Sequence, residues 1–468
     1  MVRAEVFAED SALLVEHTLQ LQLTAWDSAG RVVTPEAVTW WSGDTAKATV
    51  DPGGIVTART GGDLSVWVRT APNGVGDTLR LHIAVHGEVK WRFSLGGYGP
   101  NAGGPAEGPD GTIYVLAQTD AQAVNARLYA VTPKGVVKWQ RDLTEVNGSN
   151  YPMVGVDGAV YVVGQYVWAF EPDGSLRWAI TDRQVEILRN FPDWHAGAIS
   201  SDGVLYAALA FEFYALRAAN ADTIWQAPRS SSASWLSPPT VSADSRTVYA
   251  RQVTRELWAL VAATGATKWT VADPDSPFKG FGVGSLLIPL RVLMVTGARV
   301  RELDTLGMVM VEGLDHAPGL SEPVIAPTGT IYLQDVHSFG LYAYAAVNQQ
   351  LWRRASTNSR WPQYGGPALA SGGVLYTATQ DGFYALDVSS AGSTLRWRFP
   401  GNTRDSLTFT GAPLIGHDGT VYSFTSSIDP VAPVSDELFA FWEDKPVEPN
   451  SPWPMWRHDA RRSGQASR

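Results

Sequence analysis

The chain has 468 residues, a formal charge of −10, 45 Gly, 29 Pro and no Cys. Without Cys, disulfides, zinc thiolate sites and thiol catalysis are excluded. An acidic chain lacks the basic face that a nucleic-acid partner requires, and no apolar run reaches the ~20 residues of a membrane-spanning helix.

The start, Met1-Val-Arg-Ala-Glu5, has no apolar core of a signal peptide. Either the protein is cytoplasmic or an export signal lies outside this chain, and the domain content below favours the second. Strand alternation follows in Leu19-Gln-Leu-Gln-Leu-Thr-Ala25, a turn at Asp27-Ser-Ala-Gly30, then Val38-Thr-Trp-Trp-Ser42. Next come Ala48-Thr-Val-Asp51, Gly54-Ile-Val-Thr-Ala58, Leu64-Ser-Val-Trp-Val68 and Thr78-Leu-Arg-Leu-His-Ile-Ala-Val85. Seven or so short strands in this length read as a β-sandwich over 1–86.

From residue 87 the chain repeats. The phrase Gly87-Glu-Val-Lys90-Trp91 returns around Trp139, Trp178, Trp225, Trp269, Trp352 and Trp397, 39 to 48 positions apart except for one double gap of 83. A period of this size means a solenoid or a propeller. A second phrase, Gly-x-apolar-Tyr, ends at Tyr114, Tyr161, Tyr206, Tyr332, Tyr376 and Tyr422; Arg246-Thr-Val-Tyr249 stands in its place once. A third, such as Leu128-Tyr129-Ala130 or Phe383-Tyr384-Ala385, sits between the two. Each is rich in β-branched and aromatic residues and bounded by turn formers, as a strand is. Asp110-Gly111, Asp157-Gly158, Asp202-Gly203 and Asp418-Gly419 are the hairpin turns before the Tyr strands. A fourth strand precedes each turn, as in Tyr151-Pro-Met-Val-Gly155 or Glu322-Pro-Val-Ile325.

Four strands per repeat predict one antiparallel blade, stacked on its neighbours through Trp and Tyr. The first Trp phrase has no Tyr phrase before it, and the last Tyr phrase has no Trp phrase after it. The strand at 88–94 is thus expected to complete the last blade, which closes the ring and removes exposed edges. The count is eight blades. The fifth is degenerate: Val292-Leu293 replaces the Tyr phrase and Gly307-Met-Val-Met-Val311 the Trp phrase. The expected fold is all-β: a sandwich over 1–86, an eight-bladed β-propeller over 87–442, and a tail over 443–468 docked on it through Trp453 and Trp456.

The first segment resembles the bacterial Ig-like domain of group 2, through Val-Thr-Trp-x-Ser at 38–42 and the pairs at 48–51 and 54–58. The repeats resemble the pyrroloquinoline-quinone-type propeller family over 87–441. That family includes quinoprotein dehydrogenases and non-catalytic propellers of outer-membrane barrel assembly. The tail, Trp453-Pro-Met-Trp-Arg-His-Asp-Ala-Arg-Arg-Ser-Gly464, is similar to segments seen beside such repeats. The resemblance implies, for the enzymes, a quinone stacked on a vicinal disulfide and calcium held by Glu, Asn and Asp. A Cys-free chain cannot form that disulfide.

Asp-Gly turns read as hairpins, since none has the Asp-x-Asp-x-Asp spacing of a calcium loop. The pairs Asp193-Trp-His195, Asp315-His316, Asp335-Val-His337 and His458-Asp459 lie on different repeats and lack a nucleophile motif. Trp194, Trp235, Trp361, Trp456 and one of Trp40 or Trp41 break the Trp period. Three of them fall in long connections near 180–195, 226–238 and 354–366, which together with 270–282 and 398–411 are expected on one propeller face, where binding usually resides. The candidate site comprises Tyr151, Trp194, His195, Trp235, Phe281, Arg360, Trp361 and Tyr364. The expected function is binding or scaffolding without catalysis, cofactor or metal. The expected partner is a protein or glycan, or other subunits of a surface assembly, in an extracytoplasmic setting. The alternative is a quinoprotein dehydrogenase using pyrroloquinoline quinone.

Overall fold

The structure, a computed structural model, describes residues 1–71, 74–96, 103–119, 125–144, 146, 151–164, 166–181, 197–209, 212–227, 239–251, 256–272, 285–288, 291–295, 300–313, 321–335, 340–346, 348–355, 366–379, 382–401, 407–427, 436–455, 457–459 and 461–463. All regular structure among them is strand. No described helix is long and apolar enough to cross a membrane. The chain divides into two compact units, Met1–Lys90 with Phe441–Glu443, and Trp91–Ala440 with Asp444–Arg468.

In the first unit, Ala12–Leu14, Gly76–Ala84, Gly62–Ala71 and Ala37–Ser42 form a four-stranded sheet in that order. Thr18–Gln20, Ile55–Ala58 and Ala48–Val50 form a three-stranded one, and Arg3–Phe7 pairs with Gln22–Trp26. Their inward residues, among them Val56, Val66, Leu81 and Ile83, share one buried core. The period-2 pattern of Leu64-Ser-Val-Trp-Val68 produces this directly, since alternate side chains face opposite ways.

The second unit is a succession of four-stranded antiparallel sheets. The first comprises Ala106–Glu107, Ile113–Gln118, Ala126–Val131 and Val137–Leu143; the second Pro152–Val154, Val160–Val163, Val167–Phe170 and Leu176–Ile180. The same plan repeats from Gly197–Ile199, Thr240–Val241, Ser285–Ile288, Val324–Ile325 and Ala368–Ala370. In the eighth sheet, Leu407–Ile415, Val421–Ser427 and Glu437–Phe441 take Val89–Ser94 as their fourth strand. The first strands of neighbouring sheets lie side by side, as Ala106–Glu107 beside Pro152–Val154 and Pro152–Val154 beside Gly197–Ile199. They form the inner ring.

The three sequence phrases meet in one cross-strand row. Tyr114 faces Ala130, which faces Trp139. The same row is Tyr161–Ala169–Trp178, Tyr206–Ala215–Trp225, Tyr249–Ala259–Trp269, Tyr332–Ala343–Trp352 and Tyr376–Ala385–Trp397. The small Ala lets the two rings meet above it, with centroids 5.7–6.1 Å apart and tilts of 40–50°. Such pairs contribute about 0.5–1.5 kcal/mol beyond their area. Trp91 makes the same pair with Tyr422, at 5.8 Å.

Each indole N–H then reaches the next sheet. Trp91 donates to Pro133 O (2.7 Å), Trp139 to Pro172 O (2.9 Å), Trp178 to Ala218 O (2.9 Å), Trp225 to Ala262 O (2.6 Å), Trp269 to Thr305 O (2.9 Å) and Trp352 to Ser389 O (2.7 Å). The receiving carbonyl belongs to the turn that opens the next Trp phrase. In four of these turns a Gly, Gly135, Gly174, Gly265 or Gly307, has φ between 71° and 87° and doubles as the seat for the incoming ring. A Cβ on Gly174 or Gly265 would lie 2.6 Å from the ring of Trp139 or Trp225. The link from Trp91, in the eighth sheet, into the first shows that the succession closes on itself.

The basic residue of the phrase ties back to its own hairpin. Lys138 Nζ lies 2.8 Å from Asp110 Oδ2, and Arg177 reaches Asp157 and Glu171 at 2.7 Å. Asp110, Asp157 and Asp418 also accept a backbone N–H two residues on, from Thr112, Ala159 and Thr420. That is hairpin chemistry.

Candidate functional site

Of the residues singled out in the connections, Tyr151 alone is described; Trp194, His195, Trp235, Phe281, Arg360, Trp361 and Tyr364 lie outside the described residues, as does Trp456. Tyr151 does not stand on a loop surface. It is 3% exposed at the start of the second sheet's inner strand. Its hydroxyl donates to Gly197 O at 3.2 Å, and the guanidinium of Arg457 lies 5.9 Å from its ring centre. Burial raises its hydroxyl to about 12.

Tyr151 belongs to an axial cluster assembled by the tail. The inner strands leave N–H groups that their own sheets do not use, and the tail supplies the acceptors. Ile325 N donates to Trp453 O (2.8 Å), Leu369 N to Pro454 O (2.7 Å), Val154 N to Arg461 O (2.9 Å) and Ile199 N to Ser463 O (2.8 Å). The tail therefore crosses the inner strands of the sixth, seventh, second and third sheets. Arg457 Nη2 donates to Pro239 O, ahead of the fourth sheet. Arg462 donates from Nε to Pro105 O (2.8 Å) and from Nη2 to Pro413 O (3.0 Å), joining the first and eighth sheets.

The cluster is buried and charged. Glu322 Oε1 accepts from Trp453 Nε1 at 2.8 Å and from the Arg457 backbone at 3.0 Å. Trp453 and Arg462 are fully buried, and Arg457 is 1% exposed. Burial pushes the Glu322 carboxyl upward against the pull of Arg457. It lowers Arg462 to about 10, which still leaves a cation at neutral pH. His458, edge-on to Trp453 at 5.1 Å, is pushed downward by burial. Asp459 holds the far end, accepting from Ser463 N at 2.9 Å and Oγ at 2.8 Å.

Three non-glycine residues of the tail have left-handed backbone: Arg457 (φ 58°), His458 (φ 78°) and Arg462 (φ 56°). Such conformations cost about 1–3 kcal/mol each and persist only where packing over-determines them. Sequence reading placed Trp453 in a docked tail but assigned nothing to Glu322, Arg457 or Arg462. One available signal was Glu322-Pro323 standing where the second repeat has Tyr151-Pro152. Another was the run of cations in a segment that also carries two Trp.

The ring closure has a second buried acid. Glu107, on the first sheet's inner strand, is 3% exposed. It accepts the backbone N–H of His417 at 3.0 Å, with His417 Nδ1 at 2.8 Å. Burial raises the Glu107 carboxyl, and His417 opposes that shift.

The residues present do not fit the quinone that the family resemblance implied. The chain has no Cys to form the stacking disulfide, and the described axial positions are filled by Trp453, Met455, Arg457 and Arg462, each at most 1% exposed.

The C-terminal WD40 domain of Sif2 is similar over 76% of this chain and 99% of its own, at 9% identity and a TM-score of 0.55. The Dos1 propeller is similar over 77% and 96%, at 11% identity and a TM-score of 0.54. BamB from Moraxella catarrhalis aligns over 72% and 93% at 15% identity, with a TM-score of 0.48. The first two likenesses establish a β-propeller and leave activity open. Among curated proteins none matches significantly. Two stretches, 77–235 and 190–311, match one family's sequence profile and together span half of the chain. The chain thus belongs to the PQQ_2 family, described as outer membrane protein assembly factor BamB.

Proposed function

We propose that this protein is a non-catalytic, extracytoplasmic interaction scaffold: an Ig-like sandwich followed by an eight-bladed propeller that presents its connecting loops to a protein or glycan. The observation that carries the reading is the tail. It fills the axis of the repeat unit with its own side chains, bonded to inner strands of opposite sheets. A propeller enzyme needs that region for substrate; a scaffold gains rigidity from closing it. The family's printed description, an assembly factor, agrees with a partner in an assembly. The loop residues Trp194, Trp235 and Trp361 are proposed as its aromatic anchors, since interface hot spots favour Trp.

The test is crosslinking and co-purification from an expressing cell envelope, with the wild type and a Trp194→Ala/Trp235→Ala/Trp361→Ala triple variant. The expected result is one recurrent partner that the variant loses while its melting temperature holds. Equal recovery by both proteins would overturn the loop assignment. Dye-linked alcohol oxidation above background, after adding pyrroloquinoline quinone and calcium, would overturn the non-catalytic reading.

A further inference from the structure

The four-stranded sheet of the first unit has two unlike faces. Val66, Val68, Leu81 and Ile83 point inward and are at most 2% exposed. Alternation sends Thr39, Trp41, Trp67, Arg69, Thr78 and Arg80 to the other face. Trp41 and Trp67 are direct cross-strand partners. Their ring centres are 6.2 Å apart and their planes differ by 22°. Trp41 is 40% exposed. The glycine at 43 makes the arrangement possible, because a Cβ there would lie 2.7 Å from the Trp67 ring. Trp67 therefore lies across the neighbouring strand.

Around this pair the face offers donors. Arg69 follows Trp67 on the same side, Thr78 is its cross-strand partner, and Arg80 stands diagonal to it. Arg69, Thr78 and Arg80 are all exposed. Among the described residues, neither guanidinium has a hydrogen-bond or ion-pair partner. An acid on the same face, Asp63, is 2.6 Å from His82 Nδ1 and so is already engaged.

Trp41 is 40% exposed and Trp67 is half-buried, so part of the pair's apolar area remains in water and is available to a ligand. The fold has a core without it. A ligand that suits this surface has a flat C–H face for the electron-rich indoles. It also has anionic oxygens for two unpaired guanidiniums, which favour carboxylates. A neutral glucan supplies the first without the second; an acidic peptide supplies the second without the first. We propose that Trp41 and Trp67, with Arg69 and Arg80, form a binding platform for carboxylated sugar chains of the uronic-acid class.

The test uses the full chain in affinity electrophoresis and calorimetry with polygalacturonate, dextran and poly-L-glutamate. Polygalacturonate is expected to retard the protein, to quench Trp fluorescence and to bind less tightly as salt rises. Trp41→Ala and the double variant Arg69→Ala/Arg80→Ala should each weaken binding about tenfold or more. Both change exposed side chains, and an unchanged melting temperature verifies that they fold. Polygalacturonate that fails to bind, or binds Trp41→Ala as well as wild type, overturns the proposal. So does equal retardation by dextran, or tighter binding of poly-L-glutamate that Trp41→Ala leaves unaltered.

Discussion

The fifth repeat sheet and its neighbours share a backbone but not a side-chain grammar. In the neighbours a bulge follows the central Ala, as between Ala130 and Val131 or Ala259 and Leu260. The fifth sheet has that bulge too, between Glu302 and Leu303. Its row, however, reads Leu293–Glu302–Val311. No indole leaves it for the sixth sheet, because Val311 holds the Trp position. The described tail bonds reach first strands, or the residues leading into them, in every repeat sheet but this one. The difference separates what builds a sheet from what joins sheets. Backbone pairing and bulge need only strand formers; the Tyr–Ala–Trp row and the tail are the joints.

That separation predicts where the ring is strong. The largest effect is expected at Arg462, whose guanidinium joins the first and eighth sheets. Arg462→Met leaves the buried Glu322 and the half-buried Asp459 with one cation fewer. Breaking such a buried charge cluster costs about 3–5 kcal/mol. Urea unfolding should show a lower midpoint, with hydrogen exchange accelerating first in Ala106–Glu107 and Leu407–Ile415. A variant of wild-type stability would mean that the tail is an accessory and the Trp links alone hold the ring.

A smaller effect isolates one link. Gly203 and Gly265 both have left-handed backbone, at φ 78° and 71°. Alanine at either position bears the same backbone strain, about 1–2 kcal/mol. At Gly203 the added methyl meets nothing within 4 Å, whereas at Gly265 it meets Trp225 at 2.6 Å. Gly265→Ala should therefore be the less stable of the two, by about 1–3 kcal/mol for the overpacked contact. Equal melting temperatures would show that the indole yields freely and that the link is weak.

The tail also sets a pH response. Burial lowers the His458 imidazole below its ordinary 6.5, so the unfolded chain binds the proton first as pH falls. Stability from this group is present above pH 6.5 and is lost on acidification below it. His82 works the other way. Hydrogen bonds that it donates to Asp63 and Glu88 raise it, so its contribution is complete below pH 6.5 and fades as pH rises through the raised value. His458→Asn, tolerant of the left-handed backbone, should flatten the acid side of a stability–pH curve. His82→Gln should flatten the alkaline side.

The repeats were legible in sequence because Gly, Tyr, Ala and Trp recur at positions that each impose a local geometry. Even the degenerate sheet was found, since Val292-Leu293 and Val311 keep the spacing. The eighth sheet's borrowed strand was legible from the unmatched phrase at Trp91. The axial cluster was not. Glu322, Arg457 and Arg462 are charged, and charged side chains belong in water unless distant partners neutralise them. For Arg457 and Arg462 those partners include the backbone carbonyls of Pro239, Pro105 and Pro413, and for Glu322 the Trp453 indole and the Arg457 backbone N–H, none of which is marked by sequence proximity. Tyr151 was assigned to a loop surface for the same reason: the residue that covers it, Arg457, lies about 300 positions away in the chain.

The smallest effect tests the fifth sheet itself. The outer strands of six other sheets carry a cation, as Lys138, Arg177, Lys268, Arg353 and Arg396 do, whereas that of the third, Thr223–Ala227, does not. Charged side chains of this kind keep exposed edges from pairing with other chains. Val309–Gly313 has no cation, and Leu306, Met308, Val309 and Met310 are 75%, 67%, 45% and 54% exposed. Met310→Lys gives the fifth sheet the cation that six other sheets carry, at an exposed position. Folding stability should stay within about 0.5 kcal/mol of wild type. Light scattering over a concentration series should show weaker self-association for the variant, because an edge strand with exposed apolar residues and a single charge templates further pairing. If wild type and variant scatter alike at every concentration, the missing Trp, and not the missing cation, is what sets the fifth sheet apart.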